Sequence, residues 1–296
     1  MGKKNKKKEQ LPEGMSRRQA KLAARAAERA KLERDPRPFG GYDAEADLVA
    51  LQVFVPAATV EAKLKDGSAV TLATVLPGAV AAMVRTDGPF VALQTNTGSQ
   101  NPGRDLAYQL AWVKDAKEGE QLNSAANDGT QPALTDILES IGEITVKNDF
   151  NWWVPEGGAV DPQYRELLQR ATDAIMPTEH VEADVPGSAW WVDAGSKAHI
   201  RWIRTDEEEP LLKALARVGA AGELNLGEDT KFAGVFRTHG LVVPVFDLDP
   251  TVSAQEFKAP LEAVAKKIDA AFGDQELSPE ERRYLENIKS RQVTIR

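Results

Sequence analysis

Apolar residues are sparse and unpatterned up to about position 38 and then settle into two alternating rhythms. Helix-like spacing, with apolar residues three and four apart, covers residues 44–54, 104–117, 162–175, 207–221 and 253–272. Between these stretches lie short runs with strand-like alternation, punctuated by turn signals. Lys65-Asp66-Gly67-Ser68 and Asp193-Ala194-Gly195-Ser196 are two such turns. Arg85-Thr86-Asp87-Gly88 and Arg237-Thr238-His239-Gly240 each place small turn residues between apolar runs, a hairpin signal. Residues 132–141 suggest a short helix and 143–150 a strand, with Ile144 and Val146 alternating against polar neighbours. A last helix is expected from Ser278 to about Arg291. Ser278 would cap it, Pro279 suits its first position, and Glu280 and Glu281 complement the dipole of its first turn.

Two patterns occur twice in the same order. Pro56-Ala-Ala-Thr-Val60-Glu61-Ala62-Lys-Leu64 matches Pro177-Thr-Glu-His-Val181-Glu182-Ala183-Asp-Val185, 121 residues further on. The Arg85 and Arg237 turn motifs are 152 residues apart. The 31 extra residues are accounted for by an additional helix at 207–221, with Pro210 in its first turn and Leu211, Leu212, Leu215 and Val218 on one face. Each copy therefore reads helix, hairpin, hairpin, helix. The expected fold class is α+β: two tandem related copies of helix–antiparallel hairpins–helix, preceded by a flexible basic arm and helix. The expected division is an arm at 1–38, a first copy at 39–118, a linking region at 119–158, a second copy at 159–274 and a C-terminal helix at 275–296.

Charge separates the arm from everything after it. Residues 1–38 hold thirteen Lys and Arg against five Asp and Glu, a net +8; the whole chain is −8, so residues 39–296 carry −16. Residues 1–15 are expected to be disordered, because like charges, Pro12 and Gly14 leave nothing to bury. From 17 to 34 nearly every residue is a strong helix former, Ser16 and Gln19 resemble a capping box, and Pro36 and Pro38 end the run. Leu22 and Leu32 are its only bulky apolar residues, so the helix has no stripe for a core and no apolar face for a membrane surface. Such a rod can lie along phosphates by charge alone. The residues expected to contact nucleic acid are Lys3, Lys4, Lys6, Lys7, Lys8, Arg17, Arg18, Lys21, Arg25 and Arg29. The structural alternative is a solubilising tail.

The remaining chemistry is meagre. With no Cys, disulfides and thiolate sites are excluded. No apolar run reaches the roughly 18 residues of a membrane span, and no secretory signal begins the chain, so a cytosolic location is expected. Trp152-Trp153 and Trp190-Trp191 stand out, with Trp202 near Arg201 and Arg204. Adjacent strand residues face opposite sides, so one Trp of each pair could be exposed for a partner and the other core; packing wholly within the fold is the plainer reading. Asp247 and Asp249 with a His could hold a metal, but capping of the following helix by Ser253 and Glu256 explains that stretch, and no metal or cofactor is expected. The loop from Thr95 to Asp105 could present backbone amides and Arg104 to an anion, without the Lys or spacing of a phosphate loop. No nucleophile elbow, paired-His zinc helix or dinucleotide fingerprint occurs.

Phe54-Val55-Pro56-Ala57-Ala58-Thr59, Leu72-Ala73-Thr74-Val75-Leu76-Pro77-Gly78, Arg104-Asp105-Leu106-Ala107 and Asn148-Asp149-Phe150-Asn151-Trp152-Trp153 resemble an uncharacterised family of high-GC Gram-positive bacteria with a lysine-rich start. That family implies no activity and no catalytic residues. The run from Gly240 to Phe246 is similar to the strand pair of the enhanced-serine-sensitivity protein family, which implies fold only. The functional expectation is a non-enzymatic binding or accessory protein whose arm contacts RNA or the ribosome. A protein–protein adaptor with a Trp-rich face and an enzyme with a site between the copies are the alternatives.

Overall fold

A computed structural model describes residues 35–125, 131–155, 158 and 160–294, together with residues 18, 19, 22 and 25. Two six-stranded sheets and seven helices make up the described residues, so the protein is α+β.

The first half contains α1 (Glu45–Val53), β1 (Ala58–Leu64), β2 (Ala69–Ala73), β3 (Ala82–Arg85), β4 (Gly88–Ala92), α2 (Pro102–Asp115), β5 (Gln121–Leu122), α3 (Leu134–Ile137) and β6 (Leu138–Val146). The second contains α4 (Pro162–Asp173), β7 (Thr178–His180), β8 (Ser188–Asp193), β9 (Ala198–Ile203), α5 (Glu208–Ala220), β10 (Lys231–Thr238), β11 (Leu241–Leu248), α6 (Lys258–Ala270), α7 (Pro279–Ser290) and β12 (Val293–Thr294). The sheets run β5-β3-β4-β2-β1-β6 and β12-β10-β11-β9-β8-β7. Position by position, these are the same order of hairpins. One difference is directional: β2 lies parallel to β4, whereas β9 lies antiparallel to β11. The second hairpin is thus turned end for end in one sheet relative to the other.

The turn signals work as the sequence suggests. Gly67 and Gly195 have φ of +87° and +89°. In each turn the preceding Asp accepts a backbone N–H two residues on, Asp66 from Ser68 and Asp193 from Gly195. Ser278 and Glu281 form the capping box of α7. At α6 the expected cap is absent; Asp249 instead folds onto the backbone and hydroxyl of Thr251. The stretch 132–141 is helical only from Leu134 to Ile137. From Leu138 the chain becomes β6, because pairing with β1 recruits Ile141, Ile144 and Val146 into the sheet. The linking region therefore completes the first sheet at both edges, through β5 and β6. The second copy gained the helix α5 at the place expected. The C-terminal helix α7 packs against it so closely that a Cβ on Gly219 would lie 2.2 Å from Tyr284.

The core has one unusual member. Helix α1 buries Glu45, Ala46, Leu48, Val49, Ala50 and Leu51, nearly its whole circumference. A helix apolar all round must be covered all round. It shares one core with β1, β2 and β4 on one side and with Trp190, Ile203, Phe236, Leu241 and Val243 of the second sheet on the other. The opposite face of the second sheet (Trp191, Ile200, Trp202, Val242 and Phe246) packs under α5, α6 and α7. This sheet is buried on both faces, which accounts for the unbroken apolar run Ala189-Trp190-Trp191-Val192 in β8.

Candidate functional site: a cleft between the halves

Residues 36–39 act as a clip across the two halves. Pro38 and Phe39 are buried. A Cβ on Gly103 of α2 would come within 2.1 Å of the Pro38 carbonyl oxygen, and one on Gly240 of the β10–β11 turn within 2.3 Å of the Pro36 carbonyl oxygen. Only glycine lets the backbone approach this closely on either side. Arg37 grips buried Glu45 at the start of α1 through two guanidinium nitrogens, and this carboxylate raises the pKa of the guanidinium. The structured body therefore begins before residue 38.

Beside this clip lies a cleft of about 510 Å3. Its walls come from the clip (Phe39), from α1 (Gln52), from the exit of β4 and the loop after it, from one face of α2 (Pro102, Asp105, Leu106, Gln109), and from His239 of the second half. Residues 102, 105, 106 and 109 share a helix face by their spacing. Gln94 fixes the wall by donating to Leu51 O and Val55 O at 2.6 and 2.8 Å, satisfying carbonyls at the end of α1. The His239 ring lies parallel to Phe39, 5.8 Å away, and its Nδ1 is 2.7 Å from the Thr238 hydroxyl. His239 and Gly240 have φ of +50° and +75°, the type I′ turn that presents the imidazole to the cleft.

Two side chains beside this cleft each carry an unpartnered oxygen. Among the described residues, seven buried side-chain polar atoms lack a hydrogen-bond partner; the two acceptors among them are Oε1 of Gln52 and Oε1 of Gln109, residues that border the cleft but whose oxygens are sealed from solvent. Gln109 is only 3% exposed. A buried polar group without a partner costs about 1–3 kcal/mol.

The loop from Thr95 to Asp105 forms the mouth of the cleft, but not as an anion site. Asp105 Oδ2 accepts the Ser99 N–H at 2.6 Å, so the protein's own carboxylate takes the place of an external anion. Arg104 turns away to Gln131 O.

The structure distributes the other sequence candidates as follows. Trp190 and Trp191 do face opposite sides, but both are buried, one in each core. Trp153 is buried and donates to Val75 O; half-buried Trp152 packs against Phe90 and Phe150. The Trp190–Trp191 pair offers no exposed face, because helices cover one side of the second sheet and the first half covers the other, whereas Trp152 keeps part of its surface exposed. Trp190 instead anchors a link between the halves: its Nε1 donates to Ser188 Oγ, which donates to Asp47 Oδ1 on α1. His180 Nε2 lies 3.4 Å from the same hydroxyl, yet the hydroxyl proton is committed to Asp47, so this is not a nucleophile–base pair. Arg201 lies over Phe54, and burial lowers its pKa. Arg204 is fully buried, held by Asp206 and Asp269 and stacked on Trp202. Neither is a surface cation for a base or phosphate. Asp247 pairs with His199 and Lys197. Of the arm residues, Arg18 and Arg25 lie in helix and are exposed, as is Leu22 at 57%. Lys3, Lys4, Lys6, Lys7, Lys8, Arg17, Lys21 and Arg29 fall outside the described residues.

Gln109 escaped the sequence reading, though one signal was there: it sits on the apolar face of α2 with Leu106, Leu110 and Val113, where a polar residue breaks the pattern.

An α+β body of two sheets clipped together over a cleft, behind a basic arm, is the class of protein defined here. The chain belongs to a family of unknown function (DUF5926), whose sequence profile matches residues 38–296. No curated protein and no solved structure matches it. Among the described residues no helix is long and apolar enough to cross a membrane.

Proposed function

We propose that this is a cytosolic, non-enzymatic binding protein whose arm engages a polyanion, RNA free or within the ribosome. The observation that carries this reading is the division of charge: +8 on residues 1–38 against −16 on the remainder. The arm attracts phosphates and the body repels them, so contact is confined to the arm. The exposure of Arg18, Leu22 and Arg25, which lie along one helix face by their spacing, supports a solvent-facing rod.

The test is affinity capture of RNA by the full chain and by a chain lacking residues 1–34. The deletion stops there because Pro36, Arg37 and Pro38 pack on the body. Full-length protein is expected to capture RNA, and affinity is expected to fall by orders of magnitude between roughly 50 and 200 mM salt if six or more phosphates are engaged. The deletion is expected to abolish capture. Retention by the deleted chain, or indifference to salt, would remove the arm from the mechanism.

A further inference from the structure

We infer that a second groove, on the first half, docks a proline-rich segment of a partner protein that carries basic residues beside its prolines. The groove is separate from the arm and from the cleft between the halves. It has a volume of about 500 Å3 and runs between the β3–β5 edge of the first sheet and the start of α4. Pro77, Met83, Trp153, Pro155 and Tyr164 give it apolar, largely flat walls. All of these but Trp153 are only half-buried, so their surfaces are open to a partner.

The first argument is what the walls withhold. Main-chain carbonyls around the groove are already engaged. Val84 O accepts from Gly119 N–H, Glu120 O from Val84 N–H and Pro155 O from Gly158 N–H, at 2.8, 3.0 and 2.9 Å. Trp152 O accepts from Arg85. A peptide N–H pressed against these walls would find each of these acceptors taken, and burying it unpaired is costly. Proline has no N–H to leave unpaired. Strand addition is disfavoured for a second reason: the edge strand β5 is only two residues long, too short a template.

The second is what they offer. The Tyr164 hydroxyl makes no hydrogen bond among the described residues and is open to solvent. Burial of the ring raises its pKa, so it stays protonated, and Arg85, which also lines the groove, is near enough to act on it in the opposite sense. The hydroxyl therefore faces the groove as a free donor. Proline-rich segments use this combination: a preformed extended helix lays its rings on aromatic walls, and its carbonyls accept isolated hydrogen bonds.

Charge is the third. Glu118 and Glu120 are exposed and line the groove. Arg85 is the one cation lining it among the described residues, and it is spent on Asp87 and Trp152 O. Lys117 lies on the same loop but does not line the groove. The rim is therefore acidic and complements Lys or Arg beside the prolines.

Fluorescence polarisation with the full chain tests this, using three labelled peptides: prolines ended by Arg, alanines ended by Arg, and prolines ended by Glu. The Arg-ended proline peptide is expected to bind saturably, with each of the other two at least about tenfold weaker. Tyr164→Phe keeps the ring and removes the hydroxyl, and is expected to weaken binding roughly three- to tenfold. Glu118→Lys, at an exposed position that leaves the fold intact, is expected to weaken the Arg-ended proline peptide and strengthen the Glu-ended one. Equal binding of the alanine peptide would reduce the effect to charge alone and overturn the proposal. So would equal binding of the two proline peptides, binding unchanged in both variants, or no saturable binding of the Arg-ended proline peptide.

Discussion

The two Arg-Thr-X-Gly hairpins carry nearly the same letters and close one residue apart. In the first, Arg85 pairs with Gly88, so Thr86-Asp87 is the loop. In the second, Thr238 pairs with Leu241, so His239-Gly240 is the loop and Arg237 lies one pair further in. A shift of one residue exchanges the faces of every side chain that follows. Arg85 therefore curls onto Asp87, donates to Trp152 O at 2.8 Å and lies 4.2 Å from the Phe90 ring centroid. Arg237 reaches across to Glu208 of the inserted helix α5 and leaves its buried Nε without a partner among the described residues. A short repeated motif specifies that the chain turns. What packs around the turn decides where.

The sharpest way to break this comparison is Gly240→Ala against Gly88→Ala. At Gly240 the backbone is left-handed and a Cβ would strike the Pro36 carbonyl. The loss of stability is expected to be on the order of 3 kcal/mol or more, combining backbone strain with overpacking. At Gly88 (φ +123°) nothing lies within 4 Å of the added Cβ. The strain alone is expected to cost about 1–2 kcal/mol. Urea denaturation of both variants checks the order, and equal losses would show that the clip contributes nothing at Gly240.

Next in size is Arg85→Ala against Arg237→Ala. The first removes a buried guanidinium with a charge-assisted bond to a main-chain oxygen, and is expected to cost about 2 kcal/mol. The second removes a partly exposed ion pair and is expected to cost less than about 1 kcal/mol. The same denaturation curves report both.

The third effect is one of pH. Hydrogen bonding to Arg85 holds the Asp87 carboxyl below its usual range. A depressed carboxylate contributes stability above its unfolded pKa of about 3.9 and loses it as pH falls through the lower folded value. Asp87→Asn is expected to flatten the acid limb of the stability–pH curve below about pH 4. The second hairpin carries His239 in place of the acid at this motif position.

Smallest is His239→Asn. Asn tolerates the left-handed conformation, so the turn is kept while the stack on Phe39 and the imidazole contact with the Thr238 hydroxyl are lost, a change of about 1 kcal/mol.

Much of the architecture was legible because it is written locally. The Asp66-Gly67 and Asp193-Ala194-Gly195 turns, the Ser278 cap and the five periodic helices, the inserted one at 207–221 among them, each follow from a few neighbouring residues. What was not legible depends on distant partners. Leu138 to Ile141 are strand because β1 lies beside them. Trp191 is buried because α5, α6 and α7 cover it, and nothing near Trp191 in the chain announces those helices. Asp105 is buried at the start of α2 because the loop before it folds back to donate Ser99 N–H. The cleft was the least legible part, since its walls come from residues as far apart as Phe39 and His239.

The two-sided burial of the second sheet also bears on biosynthesis. The inner cover of Trp190, Leu241 and Val243 is made by α1 and the first sheet, which precede them in the chain. At ordinary synthesis rates of roughly 5–20 residues per second, about 5–20 s separate the emergence of β4 from that of β8. The cover thus exists before the surface it must cover. A circular permutant that begins at α4 would reverse this order and leave a sheet with Trp on both faces waiting for its lid, so it is expected to aggregate during synthesis even where its final fold is unchanged.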